Sequence, residues 1–229
     1  MHLTVISMRQ RAFTMKTKFG KMLDLSCGKG AEIIRMADFE NAEAFYDYIK
    51  EKGFGVVEEY LINHDKIREV YEPALNTMRM ITIIGDDNEP HLFFAAQKFG
   101  VNGRFIDVHG IHAPIDLETG IVHFPFHSGN TDTDLIYTKH PDTGYDLTNY
   151  EVPMFKEAKE MILKAAMKVP EMRYVGWDVA VTNKGPKIVE GNDYTAYDYM
   201  QLPYQNPSRI GVIPDILKLV PSFKDELYK

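Results

Sequence analysis

The segment richest in chemistry in this 229-residue sequence runs from Gly176 to Asn192, with the text Gly-Trp-Asp-Val-Ala-Val-Thr-Asn-Lys-Gly-Pro-Lys-Ile-Val-Glu-Gly-Asn. Asn183-Lys184-Gly185 reads as a three-residue hairpin loop with Gly185 in the left-handed position. That register pairs Thr182 with Pro186 and sets Asp178 opposite Glu190. Asn192 follows two residues later on the same face, because strand side chains alternate. Val179, Val181 and Val189 fall on the other face, where they can be buried. Carboxylates placed opposite each other repel, and a fold tolerates this when a cation lies between them. Two carboxylates and an amide oxygen are hard ligands, suited to Mg²⁺ held jointly with phosphates. No cysteine or histidine is present in the segment to favour zinc. The same spacing also fits an exposed strand face whose acids are merely solvated, and a one-residue slip would take Asp178 away from its partner.

The elements around this hairpin follow from pattern. Residues 17–23 read as a strand running into Ser26-Cys27-Gly28-Lys29-Gly30, and Ala31 to Met36 as a second strand. Asp38 or Asn41 can cap a helix through about Glu51, with Ala44, Phe45, Tyr48 and Ile49 on one side and Gly53 to stop it. Val56 to Leu61 is a short apolar strand. Strands at 76–84 and 91–99 flank a turn, and further short strands are expected at 111–116 and 121–126. Val152 to Lys168 is an amphipathic helix with Pro153 in its first turn and Pro170 beyond its end. Strands at 173–182 and 186–190 and a short helix at 210–219 complete the pattern. The fold class is α+β, with a mostly antiparallel second lobe. The expected division is an N-terminal extension at 1–16, a small lobe at 17–62 and a large lobe at 63–229.

A net charge of -7 argues against a general nucleic-acid binder, which needs a basic stripe. From Arg9 to Lys21, however, every charged residue is basic, which fits a solvated end or a rim for an anionic ligand. With one cysteine, Cys27, no intrachain disulfide can form, as suits a reducing compartment. No signal peptide and no run of roughly 20 apolar residues is present, so a cytoplasmic location is expected. Arg79 lies in an apolar strand beside Met78, Met80 and Ile81, where an unpaired charge is costly. It must therefore meet an anion, either a ligand's or a structural carboxylate. His109, His112, His123 and His127 have the spacing of no common zinc site. The 13 Tyr and 13 Phe would suit a carbohydrate-binding module, although most fall at core spacing.

Asp, a turn and Glu-x-Asn on the return strand resemble the magnesium-binding hairpin of the ATP-grasp superfamily. The fuller text from Tyr174 to Asn192 resembles one branch more closely, the sugar-transfer-associated ATP-grasp proteins of bacterial surface-polysaccharide synthesis. Val57-Glu58-Glu59-Tyr60-Leu61 followed by Leu75-Asn76-Thr77-Met78-Arg79, then Ala113-Pro114-Ile115-Asp116-Leu117-Glu118-Thr119-Gly120, then His140-Pro141-Asp142-Thr143-Gly144, fit that branch in order. The resemblance covers about residues 17 to 205. It implies two α+β lobes with ATP between them. Lys21 matches the family's phosphate-binding lysine. Ser26, Gly28, Lys29 and Gly30 match the glycine-rich loop, whose N–H groups cradle phosphates. Glu58, Glu59, Tyr60 and Leu61 match the hinge that reads the adenine edge, and Asp65 falls where a ribose-binding acid would. Arg79 would face the phosphates or an acyl phosphate, and Asp178, Glu190 and Asn192 would hold one or two Mg²⁺ ions. The implied reaction activates a carboxylate as an acyl phosphate and passes it to an amine or another nucleophile, with substrates linked to sugars.

The chain departs from the branch in two places. The family's Asp-Asn and Gly-Gly pairs are reduced here to Asp107-Val108 and Gly110, which bears on acceptor binding. Only about sixteen residues precede the small lobe, where the family carries another domain. The expectation is a fragment, a shortened paralogue or a partner of a separate chain, and a nucleotide-binding relic without turnover stands as the alternative to an active ligase.

Overall fold

In the computed structural model, residues 17–21, 30–129, 135–193, 195, 200–201 and 210–224 are described. The chain divides into two compact units, Met1–Leu61 and Ile62–Lys229.

In the first unit, strands β1 (Thr17–Lys21), β2 (Ala31–Arg35) and β3 (Val56–Glu59) form an antiparallel sheet in the order β2-β1-β3. Helix α1 (Ala42–Lys52) begins where the Asn41 side chain accepts the Ala44 N–H at 2.9 Å. It ends at Gly53, whose φ of 69° few other residues adopt cheaply. Phe45, Tyr48 and Ile49, at helical spacing, join Ile34, Met36, Phe39, Phe54 and Val57 in a small core. Gly20 in the central strand makes room for that core, since a Cβ there would stand 2.8 Å from the Phe54 ring. Lys18, expected as part of a basic solvated end or ligand rim, is buried and pairs across the sheet with Glu59. Its pKa is lowered by burial, with Glu59 opposing the shift.

The second unit is built on a seven-stranded antiparallel sheet. Its strands are β4 (Thr77–Ile84), β5 (Pro90–Phe99), β6 (Ile111–Pro114), β8 (Phe126–Ser128), β9 (Ile136–Tyr137), β11 (Tyr174–Thr182) and β12 (Gly185–Asn192). Their order is β12-β11-β4-β5-β6-β8-β9, while β7 (Ile121–Val122) pairs with β10 (Tyr150–Glu151) in a separate ribbon. Period-two alternation sends Met78, Met80, Val175, Trp177, Val179 and Val181 to one face. They share a core with Phe155, Ala158, Ile162 and Ala166 of helix α3 (Phe155–Ala166).

Three local differences from the sequence reading have identifiable causes. Helix α3 starts later than Val152 because residues 150–151 pair with β7 and the Val152 N–H is bonded to Gly120 O at 3.0 Å. Met154 then enters the helix with φ 55°. The expected strand at 121–126 splits into β7 and β8, in different sheets, around Pro125, which has no N–H to give a ladder. Residues 65–70 form a short helix, α2 (Asp65–Val70), capped by His64 Nδ1, which accepts the Lys66 N–H at 3.2 Å. A C-terminal helix, α3's successor α4, spans Ile213–Leu219.

Candidate functional site

The β11–β12 hairpin turns on two residues, Asn183 and Lys184, not three. Thr182 pairs with Gly185 and Val181 with Pro186. The Thr182 hydroxyl fastens the turn, donating to Gly185 O at 2.8 Å and accepting the Lys184 N–H at 3.1 Å. Gly185 takes φ 112°. Continued without interruption, this register would set Asp178 against Val189. A bulge between Asp178 and Val179 absorbs one residue of β12, and Asp178 therefore faces Glu190, with Asn192 facing Gly176. The pair expected from a longer loop is thus reached by a shorter loop and a bulge. Val179 and Val181 are buried in the core, whereas Val189, on the edge strand, is half-buried.

Asp178 also pairs across the sheet with Arg79 of β4, so Glu190, Asp178 and Arg79 form one row over three neighbouring strands. Arg79 Nε lies 3.3 Å from Asp178 Oδ1, and its Nη1 donates to Thr195 Oγ1 at 3.2 Å. The Nε–H makes no aligned hydrogen bond, so the Asp178 contact is electrostatic rather than a directed bond. Gly176 accommodates this arrangement: a Cβ there would stand 2.2 Å from Thr195 Oγ1 and 3.1 Å from Arg79 Nη1.

Lys98 of β5 completes the cluster. Its Nζ lies 3.1 Å from Asp178 Oδ1 and 3.4 Å from Asp107 Oδ1. Asp107 is anchored in turn, Oδ2 accepting the Thr77 N–H at 2.7 Å and the Thr77 hydroxyl at 2.6 Å. Lys98, Asp107 and Asp178 are all buried. Burial pulls the Lys98 pKa down, but Asp107 and Asp178 outweigh it and the net shift is upward, so Lys98 is charged. Beyond Lys98 across the sheet lies His112, whose pKa is lowered to about 3 by burial, His127 and Lys98.

Glu190 is exposed on the edge strand, and the Asn192 Nδ2 donates weakly to Gly176 O at 3.4 Å, leaving Oδ1 as that amide's acceptor. Two carboxylates and an amide oxygen along one sheet edge suit a hard cation that keeps waters and phosphate oxygens as its other ligands. Among the described residues no three His, Cys, Asp or Glu side chains converge into a protein-only cage. The repulsion argued from sequence is met in part by the chain's own Arg79 and Lys98. The anion that Arg79 meets in this structure is the chain's own Asp178.

The other sequence candidates are placed as follows. The backbone of Lys21 closes β1, opposite Ala31 and Val56. Ser26, Gly28 and Lys29 lie outside the described residues, and Gly30 turns into β2 with φ 65°. Glu58 and Glu59 end β3, opposite Phe19 and Lys18, and the Tyr60 N–H donates to Thr17 O at 3.3 Å. Leu61 is the last residue of the first unit. Asp65 is the first residue of α2, 3.4 Å from Arg68 Nη1, with its N–H on Asn183 Oδ1 at 3.1 Å. Lys98 belongs to none of the sequence motifs. The signal was present, because a lysine between Gln97 and Phe99 in an apolar strand needs a partner as much as Arg79 does.

A family model described as sugar-transfer associated ATP-grasp matches residues 29–210. No curated protein matches the chain. Among solved structures, the ATP-grasp ligase PsnB complexed with minimal precursor, Mg and ADP is 14% identical with a TM-score of 0.43, covering 84% of this chain and 42% of its own. PsnB complexed with precursor peptide PsnA2 and AMPPNP gives 14% identity and a TM-score of 0.45, with 89% and 48% covered. The ADP complex of purK, N5-carboxyaminoimidazole ribonucleotide synthetase, gives 12% and 0.41, with 86% and 40% covered. The chain thus spans less than half the length of the protein in each of these three structures.

Proposed function

Since the chain belongs to the sugar-transfer associated ATP-grasp family, we propose that it binds ATP with Mg²⁺ and activates a carboxylate for ligation. The observation that carries this reading is the in-register Asp178–Glu190 pair with Asn192 next along the edge strand, inside the matched span. Asp178, Glu190 and Asn192 would hold the metal, which when bound neutralises charge on the transferring phosphoryl group. Lys21, with Ser26, Gly28, Lys29 and Gly30, would hold phosphates, and Glu58 to Leu61 the adenine. Asp65 is the proposed ribose contact.

In the reaction the substrate carboxylate attacks the γ-phosphorus and ADP leaves, giving an acyl phosphate. An amine or another nucleophile then takes the acyl group and releases phosphate. Arg79 and Lys21 would stabilise the developing charge, an electrostatic role, while the proton released by an amine nucleophile passes to a base that no motif marks. The family's description, sugar-transfer associated, supports a sugar-linked substrate; a place in surface-polysaccharide synthesis is part of the proposal, and the lone Cys27 suits a cytoplasmic setting. Among the described residues no helix is long and apolar enough to cross a membrane.

Calorimetry with ATP, with and without Mg²⁺, tests the site on the wild-type chain and on Asp178→Ala/Glu190→Ala. Magnesium-dependent binding lost in the double variant supports the reading. Equal binding by both chains overturns it. A second reading, nucleotide binding without turnover, is favoured by the hold that Lys98 and Arg79 already have on Asp178 Oδ1. ADP release that depends on an added carboxylate would exclude it.

A further inference from the structure

The charges around Asp178 are matched more closely than a bare metal site requires. Glu190, Asp178 and Asp107 carry three negative charges, and Arg79 and Lys98 two positive ones. Lys98 contributes most directly. It is buried, it bridges the two buried carboxylates at 3.1 and 3.4 Å, and its partner Asp107 is fixed by two hydrogen bonds from Thr77. A cation so enclosed cannot swing away into water. A divalent ion approaching Asp178 without nucleotide therefore meets a carboxylate whose charge is already answered from the sheet floor. With ATP bound, the phosphates would supply the missing negative charge.

We propose that Lys98 is a positioning residue that makes metal binding conditional on nucleotide: it acts as resident counter-ion to Asp178, suppressing occupancy by a free divalent cation and leaving the site to the metal–nucleotide complex. The inference rests on the metal reading of Asp178, Glu190 and Asn192. It is specific to Lys98 because Arg79 lies in the same row as the acids and is also held by Thr195, whereas Lys98 approaches from the next strand and links Asp178 to Asp107.

The test measures Mn²⁺ binding to the chain by electron paramagnetic resonance, with and without the non-hydrolysable ATP analogue AMPPNP. Three chains are compared: wild type, Lys98→Met, and Lys98→Met/Asp107→Asn. Without nucleotide, Lys98→Met should bind Mn²⁺ about tenfold more tightly than wild type, the order expected for removing one positive charge a few ångströms from the ion. The double variant removes one charge of each sign, and its amide oxygen can still accept from Thr77. Its affinity should return to within about threefold of wild type, the residue left by such a neutral exchange. With AMPPNP the difference between wild type and Lys98→Met should shrink or reverse. A merely structural lysine would give the opposite sign, with Lys98→Met weakening Mn²⁺ binding in both conditions, and that result overturns the proposal. An unchanged affinity in Lys98→Met also overturns it. Absence of Mn²⁺ binding by wild type even with AMPPNP fails at the earlier step and removes the metal reading together with this inference.

Discussion

Asp107 offers the sharpest energetic test of the buried cluster. Truncation in Asp107→Ala removes the acceptor of the Thr77 N–H at 2.7 Å and of its hydroxyl at 2.6 Å, and takes one of two carboxylates from Lys98. Hydrogen bonds to a charged acceptor contribute roughly 1.5–3 kcal/mol, and breaking a buried ion pair costs about 3–5 kcal/mol when the survivor is left alone. Lys98 is not left alone, because Asp178 remains at 3.1 Å. The contributions also share one carboxylate and so do not add. The expected loss is therefore about 3 kcal/mol, at the lower end of the buried-pair range. Asp107→Asn keeps an oxygen for Thr77 and loses only charge, and should cost about 1 kcal/mol, an ordinary neutral hydrogen-bond difference. Urea unfolding followed by the fluorescence of Trp177, the single tryptophan and a residue of the second unit's hydrophobic core, measures both. A loss below about 1 kcal/mol in the alanine variant would refute the reasoning, as would equal losses in the two variants, because either result would mean that the carboxylate is not a load on Thr77 and Lys98.

Other outcomes follow from the same geometry. His112 is held neutral in the fold, its pKa moved from 6.5 to about 3 by burial, then by His127 and Lys98. Below pH 6.5 the unfolded chain takes up a proton that the folded chain refuses, so stability should fall by up to about 1.4 kcal/mol per pH unit from about 6.5 towards 3. His112→Gln should flatten that part of a urea-midpoint-versus-pH curve. The Trp177 Nε1–H donates to Thr82 Oγ1 at 2.9 Å, both residues being buried. Thr82→Val should cost about 1–2 kcal/mol in urea unfolding, the penalty for stranding a buried donor. Gly176→Ala would drive a methyl group to 2.2 Å from Thr195 Oγ1. Overpacking of this kind costs roughly 1–3 kcal/mol, and by displacing Thr195 from Arg79 it should also weaken nucleotide binding in calorimetry.

The residues of the hairpin were legible in the sequence because their chemistry is local: two strands, one turn and three oxygen donors within fifteen residues, Asp178 to Asn192. Its geometry was legible only in outcome. A three-residue loop and a two-residue loop plus a bulge give the same Asp178–Glu190 pair, since each places one extra residue on the β12 side. No alternation rule separates the two, and what differs is Val189, which the bulge leaves half-buried instead of packed. Short elements were lost for a related reason. Helix α2 has only six residues, too few for a 3.6-residue period to declare itself, and it is fixed instead by burial of Ile67 and Val70.

Lys98 escaped for the opposite reason, distance in sequence. Its partners are 9 residues away at Asp107 and 80 away at Asp178, and only the order β11-β4-β5 brings them together. Yet the sequence did carry the half of this that physics makes local. A charge inside an apolar strand must have a partner somewhere, whatever the topology. Applied to Arg79, that rule required an anion, and the fold supplies Asp178 at 3.3 Å. Applied equally to Lys98, it requires an anion near a strand two positions removed from β11, and the same carboxylate satisfies it. A buried lysine and a half-buried arginine seeking anions in one sheet, and an acid row at its edge, already constrain which strands can be neighbours. The charges within the sheet therefore bear on strand order as well as on function: a β11 placed elsewhere in the sheet would leave Arg79 and Lys98 without Asp178.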